Sequence, residues 1–265
     1  MDLQLTGKRA IVTGGSRGIG KAVASALADE GCDVVIAARG REALDSAAAE
    51  LRTVTGRAVV PLVVDTGGDE SVRAMVAAAT DALGGVDILV NSAAKPLGQT
   101  APPKLADITA ELFWDDMNVK VLGYLRCAQA VAPAMIGQGW GRIINISGLG
   151  ARTTGAVIGS MRNVAVAAMT KNLADELGPH GITVTVVHPG LTRTEATAGV
   201  VERLAASRGI SPAEAEESLI RNSIHRFVDA AEVAHIVAFL ASPRSGAITG
   251  DAIVCGGGQP GPIHY

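Results

Sequence analysis

The chain has 265 residues, 48% of them hydrophobic, with a formal net charge of −3 and aromatics at only 3%. That length suits one large α/β domain with a substantial core and is short for two. The near-neutral charge argues against a polyanion-binding surface and the scarcity of aromatics against base-stacking platforms, so nucleic acid is not an expected partner. The start, MDLQLTGKRA, lacks the basic and apolar regions of a signal peptide. No apolar run approaches the roughly 20 residues of a membrane span. Cys32, Cys127 and Cys255 are few, odd in number and scattered, which fits small buried thiols in a reducing cytoplasm better than a disulfide frame or a metal site.

In chain order, short β-branched or apolar runs predict strands at Arg9–Thr13, Asp33–Ala37, Ala58–Val64, Val86–Asn91, Arg142–Ser147, Thr183–His188 and Ala252–Cys255. Between them, Ala-rich segments with helical spacing predict helices over Gly18–Glu30, Arg41–Thr55, Asp69–Leu83, Ala110–Ile136, Gly159–Leu177 and Ala230–Leu240. Strand alternating with helix implies a doubly wound parallel sheet covered on both faces, in a single domain spanning residues 1–265. Two stretches interrupt the rhythm. Ser92–Thr109, with Pro96, Pro102 and Pro103, reads as loop. Residues 192–224 read as a helical insert at the sheet edge that faces the ligand crevice, and a substrate lid is the preferred reading over a simple connector. Ala196, Val200, Val201, Leu204 and Leu219 would give that lid an apolar pocket wall or a docking face.

The first strand-to-helix junction, IVTGGSRGIG at 11–20, carries the clearest chemistry. Glycines at 14, 18 and 20 let backbone lie close to a pyrophosphate, which would rest on the unpaired N–H groups and positive end of the helix. A strand before, a helix after and a second strand one βαβ unit later favour a dinucleotide site over a bare turn. Cofactor choice should be written at the end of the second strand, where an acid would accept from the ribose hydroxyl of NAD. Here the sequence is Ala37-Ala38-Arg39, with Arg17 in the glycine turn; two guanidinium groups and no carboxylate suit a 2′-phosphate, hence NADP(H) preferred and NAD(H) possible. Asp65 could accept from the adenine amino group or cap a helix. Asn91 either steadies neighbouring strands or forms a turn.

Over essentially its whole length the chain resembles a short-chain dehydrogenase/reductase. The matching stretches are TGGSRGIG (13–20), Asp65 after the third strand, DILVNSAA (87–94), GRIINIS (141–147), LADELGPHGITVTVVHPG (173–190) and ITGDAIVCGGG (248–258). The resemblance implies a Rossmann-like sheet of seven parallel strands, NAD(P) across their C-terminal edge, a small-molecule substrate, and a homodimer or homotetramer. It also implies that Gly14, Ser16, Arg17, Gly18, Ile19 and Gly20 hold the diphosphate end, Asp65 and Thr66 the adenine, and Asn91 and Ala93 the adenine ribose side. Pro189, Gly190, Leu191 and Thr194 would meet the nicotinamide.

The family's reductases use a Tyr-x-x-x-Lys pair, a serine and an asparagine. By the resemblance, the tyrosine position falls on Gly159, the lysine on Asn163, the serine on Gly148 with Ser147 adjacent, and the asparagine on Lys120. Asparagine and lysine thus look exchanged, and the expectation is that Lys120 fills the space Asn163 leaves, touching the nicotinamide ribose or Asn163 itself. The other reading is a lysine with its head in water. Ser147 and Ser160 are the nearest hydroxyls for proton transfer, although an unassisted serine is a poor acid. Tyr124, Tyr265, Arg162, Arg193 and His188 complete the polar candidates. Two functions follow: an NADP(H)-dependent oxidoreductase acting on a small carbonyl, alcohol or enone with substituted proton-handling groups, or a non-catalytic NADP(H)-binding sensor or structural partner. Isomerase or lyase chemistry is a third possibility.

Overall fold

A computed structural model describes residues 1–94 and 102–260. Its centre is a seven-stranded parallel sheet in the order β3-β2-β1-β4-β5-β6-β9. The strands are β1 (Arg9–Thr13), β2 (Asp33–Ala38), β3 (Val59–Val63), β4 (Ile88–Asn91), β5 (Gly141–Ile146), β6 (Ile182–Pro189) and β9 (Ala252–Cys255). All six pairings are parallel. The order runs outward from β1 in both directions, so the β1–β4 boundary is where the winding reverses and a crevice opens at the strand C-termini. Pro61 lies in β3, which is the edge strand, where its missing N–H costs no ladder bond.

Near-continuous apolar strands follow from burial on both faces. One face packs α1 (Gly18–Asp29), α2 (Arg41–Thr55) and α9 (Ala230–Ala241) onto Ala10, Val12, Val34 and Ile36. The other packs α3 (Asp69–Leu83), α5 (Gly123–Gln138) and α6 (Val157–Leu177) onto Ile11, Val35, Leu89 and Ile143. The core is built from alanine, valine, leucine and isoleucine rather than rings, which lets helices lie close to the sheet. Buried Cys32 and Cys127 are packing residues and, with Cys255, carry free thiols. Among the described residues no helix is long and apolar enough to cross a membrane.

The helix expected over Ala110–Ile136 is divided. It runs as α4 (Ala110–Met117), a π-helical turn (Asn118–Leu122) and α5. A π-turn frees backbone carbonyls that a regular helix would use, and here Thr66 of the β3–α3 loop and Arg126 of α5 take them up. The Thr66 hydroxyl donates to the Val119 carbonyl at 3.1 Å, and Arg126 Nη1 donates to the carbonyls of Asn118 and Thr66, each at 3.2 Å. Gly123 lies against Thr66, where a Cβ would come within 2.9 Å of the threonine Cβ.

The 192–224 insert begins with a two-residue strand, β7 (Thr192–Arg193), paired with β8 (Val228–Asp229). Between them stand α7 (Thr197–Arg208) and α8 (Pro212–Leu219). Val201, Ala205 and Ala215 form a small core there, with Leu204 and Leu219 packed against it. These leucines and Val201 dock α7 on α8.

Inside the sheet a polar chain ties β4 and β5 to α6. Asn91 Nδ2 donates to Asn145 Oδ1 at 3.0 Å, Asn145 Nδ2 to Thr170 Oγ1 at 3.0 Å, and Thr170 Oγ1 to the Val166 carbonyl at 2.8 Å. All three side chains are fully buried. Replacing Asn145 with alanine leaves two desolvated groups short of a partner. Chemical denaturation should show a loss of roughly 1–3 kcal/mol; an unchanged midpoint would contradict the assignment.

Candidate active site

The glycine turn joins β1 to α1. Gly14 adopts φ +70°, and its N–H donates to the Ala37 carbonyl at 2.7 Å, closing the turn over β2. A Cβ on Gly14 would sit 2.8 Å from the Ser92 carbonyl oxygen and 2.9 Å from Ala93 N. A Cβ on Gly20 would collide with the Gly14 carbonyl. Gly18, at φ +56°, faces outward, and among the described residues only Thr194 comes within 4 Å of where its Cβ would stand. Thr13 Oγ1 accepts the N–H groups of Ser92 and Ala93 at 3.1 and 3.3 Å, which fixes the β4 exit beside the turn. The result is a cradle of bare backbone at a helix N-terminus, the donor arrangement that suits a phosphate group.

Arg17 and Arg39 both project into solvent near this turn, and neither guanidinium has a partner among the described residues. A nicotinamide dinucleotide with a 2′-phosphate would find both bases free. These residues fit that cofactor; Ser16 and Ile19, between Gly14 and Gly20, are half-buried within the same turn.

Other expected contacts divide differently. Asp65 is exposed, and its Oδ1 accepts the Gly67 N–H at 3.0 Å, so the residue shapes its own turn while keeping an oxygen outward. Thr66 is buried, and its hydroxyl donates to the Val119 carbonyl of the π-turn. Asn91 steadies neighbouring strands: besides Asn145, its Nδ2 reaches the Tyr124 carbonyl at 3.4 Å. Gly190, after Pro189, donates its N–H to the Cys255 carbonyl at 3.0 Å, and a Cβ there would lie 2.6 Å from Gly256 Cα. The Leu191 carbonyl accepts the Val228 N–H at 3.0 Å, and Thr194 N–H donates to Thr197 Oγ1 at 2.8 Å. This segment is thereby pinned across the C-terminal ends of β6 and β9.

Around the exits of β5 and β6 stand the remaining polar groups. Lys120 is 4% exposed, and its Nζ donates to the Ser147 carbonyl at 2.9 Å and to Asn163 Oδ1 at 3.1 Å. The amine thus reaches Asn163 from the opposite helix and does not snorkel to water. The π-turn is what presents it there, since an extra residue in the turn rotates the following side chains. Burial pushes the Lys120 amine down to about 7, aided by the nearby Arg162 charge and opposed by Asp116. Arg162 is itself buried and makes a two-pronged contact with Asp116, at 2.7 and 2.9 Å. Its Nε has no hydrogen-bond partner among the described residues.

Asn163 Nδ2 lies over two glycines, 3.3 Å from a Cβ built on Gly148 and 3.0 Å from one on Gly150. The small residues at 148 and 150 are therefore matched to the asparagine above them. His188 is buried, accepts the Gly148 N–H on Nδ1 at 3.4 Å, and is pushed down to about 4 by burial and by the Arg152 and Lys120 charges. It is neutral near pH 7.

The hydroxyls are already engaged. Ser147 Oγ donates to the Asn163 carbonyl at 3.1 Å, and Ser160 Oγ to the Thr153 carbonyl at 3.2 Å. Tyr124 is fully buried, donates to the Ile146 carbonyl at 2.9 Å, and has its ionisation suppressed by burial. None of the three is a free proton donor. Arg193 is occupied by Glu216 at 2.6 Å and stacks 4.8 Å above the Phe227 ring. Tyr265 lies outside the described residues. Sequence reasoning missed the Arg162–Asp116 pair, whose partners are 46 residues apart with no local pattern linking them. It also missed Glu195, whose Oε2 accepts the Gly18 N–H at 3.0 Å.

Comparison with known proteins agrees with this geometry. The family model described as enoyl-(acyl carrier protein) reductase matches residues 14–259. The short-chain reductase protein NovJ of Streptomyces niveus is 36% identical over 253 residues, covering 95% of this chain and 93% of that protein. The 3-oxoacyl-[acyl-carrier-protein] reductase FabG of Vibrio cholerae is 33% identical, covering 97% of this chain and 99% of its own length. The L-sorbose reductase of Gluconobacter frateurii, solved with NADPH and L-sorbose, superposes with a TM-score of 0.93 at 29% identity, over 99% of this chain and all of that one (100%). With the seven-stranded parallel sheet and the glycine turn, these likenesses settle the classification: the chain belongs to the short-chain dehydrogenase/reductase family.

Proposed function

We propose that the protein is an NADP(H)-dependent oxidoreductase acting on a small carbonyl, alcohol or enone, with a lysine in place of the family's tyrosine-centred proton handling. The observation that carries this reading is the Lys120 amine, held beside Asn163 at the same sheet edge as a cradle of bare backbone that suits a phosphate. Arg17 and Arg39 support the choice of NADP(H), as does the NADPH complex of the L-sorbose reductase. The 192–224 segment would cover the substrate. The partner would be further copies of the chain, in keeping with exposed Trp114, Met161 and Val164 on α4 and α6.

The glycine turn would hold the diphosphate, with Arg17 and Arg39 on the 2′-phosphate. Pro189, Gly190, Leu191 and Thr194 would border the nicotinamide. The bound cofactor supplies the hydride. Lys120 uses two of its three donors on Ser147 and Asn163, leaving a third for the substrate oxygen. As the ammonium ion it polarises a carbonyl, gives up a proton to the alkoxide, and is left as a neutral amine that solvent reprotonates. Arg162 lowers the cost of that release by repelling the charge, and Asp116 keeps Arg162 in place.

A second reading, a binding protein without turnover, is favoured by one observation: the only tyrosine in the described core donates its hydroxyl to a backbone carbonyl away from the cofactor edge. NADPH binding with no oxidation across a panel of ketones, aldehydes and enones would select it.

Two outcomes test the enzyme reading. For Arg39→Ala, titration followed by nucleotide fluorescence should weaken NADPH by about 10- to 100-fold while leaving NADH nearly unchanged; equal losses would remove the 2′-phosphate assignment. In steady-state kinetics, reduction should be fastest when Lys120 carries its proton and decline as pH rises through about 7. Lys120→Met should lower kcat by about 100-fold or more with NADPH affinity retained. A Lys120→Met enzyme with wild-type kcat would exclude the lysine from proton transfer.

A further inference from the structure

The helix that would receive the diphosphate has no cap of its own. α1 starts without a side-chain N-cap bond and without an acidic residue in its first turn. Its Gly18 N–H is instead satisfied from 177 residues downstream, by Glu195 Oε2 at 3.0 Å. A second contact places the same segment on the turn: Thr194 Cγ2 lies 3.5 Å from where a Gly18 Cβ would stand. Glu195 is exposed and makes no ion pair among the described residues, where its one bond is to the N–H at the positive end of α1.

We infer that Glu195 is a charge gate on the dinucleotide site: in the free protein its carboxylate takes a donor that the diphosphate needs, and cofactor entry expels it. The inference rests on the dinucleotide reading of the glycine turn. A carboxylate and a diphosphate compete for one helix end, and side by side they repel. Expelling Glu195 lifts the start of α7 from the turn. The rest of the segment stays tethered, because the Thr192–Val228 and Arg193–Asp229 pairing and the Arg193–Glu216 ion pair do not touch the glycine turn. The α7–α8 pair therefore has an anchored base at β7 and a release point two residues further on. Cofactor binding and movement of the cover over the substrate crevice become one event.

The test is NADPH affinity, by nucleotide fluorescence, for the wild type, Glu195→Gln and Glu195→Ala at low and high salt, with amide exchange at Gly18 in the free proteins. Removing the charge should tighten NADPH by roughly three- to tenfold at low salt, in both variants, with the gain shrinking as salt screens the repulsion. The Gly18 amide should exchange faster in free Glu195→Ala than in the free wild type. Equal affinities in all three proteins, or weaker binding in the variants, would overturn the gate while leaving the dinucleotide site standing. Failure of all three to bind NADPH or NADH would overturn both.

Discussion

The Lys120 amine is enclosed by protein yet keeps two oxygen acceptors, the Ser147 carbonyl and Asn163 Oδ1. A buried ammonium is costly unless its donors are met and a neighbouring charge is tolerable. Here both conditions depend on surrounding parts. The π-turn sets the direction of the side chain, the β3–α3 loop stabilises the π-turn, and glycines at 148 and 150 make room for Asn163. The nearby Arg162 charge is balanced by Asp116 on α4. Desolvation then pushes the amine down from its usual value to about 7, with Arg162 adding to the shift and Asp116 opposing it.

The nucleotide end of the crevice obeys a different constraint. There, side chains must be absent so that backbone donors can reach an anion. Gly14 and Gly20 are closed to any Cβ by neighbouring backbone, whereas a Cβ on Gly18 would meet only the Thr194 side chain among the described residues. The two ends are held in register by the sheet: β1 delivers the glycine turn, β4 lies beside it, and β5 and β6 deliver Ser147 and His188. The polar chain through Asn91, Asn145 and Thr170 links the strand nearest the cradle to the helix that carries Asn163. The backbone cradle and the Lys120–Asn163 pair are thus held at one sheet edge by the same set of strands.

Much of this was legible from residue order. Fully buried parallel strands produce continuous apolar runs, and every sheet strand was placed to within one or two residues. The glycine turn was legible because backbone approach excludes side chains, a requirement that leaves its mark on composition. The proximity of Lys120 to Asn163 could be anticipated only through the resemblance, since nothing local links two helices. Other features had no such mark. A π-turn has no distinctive composition, and its stabilisers, Thr66 and Arg126, come from different elements. The apolar residues of α7 and α8 have the same pattern whether they dock on each other or line a pocket. Glu195 could not be read as a partner of Gly18, because capping rules describe residues close in sequence.

The most direct test of the role proposed for Lys120 is a crystal structure of the protein with NADPH and an unreactive ketone analogue. The expected result is the Lys120 Nζ within hydrogen-bond distance of the analogue's carbonyl oxygen, still held by Asn163, with the diphosphate on the α1 N-terminus. A carbonyl oxygen bound elsewhere, with Lys120 sealed behind Ser147 and Asn163, would contradict it.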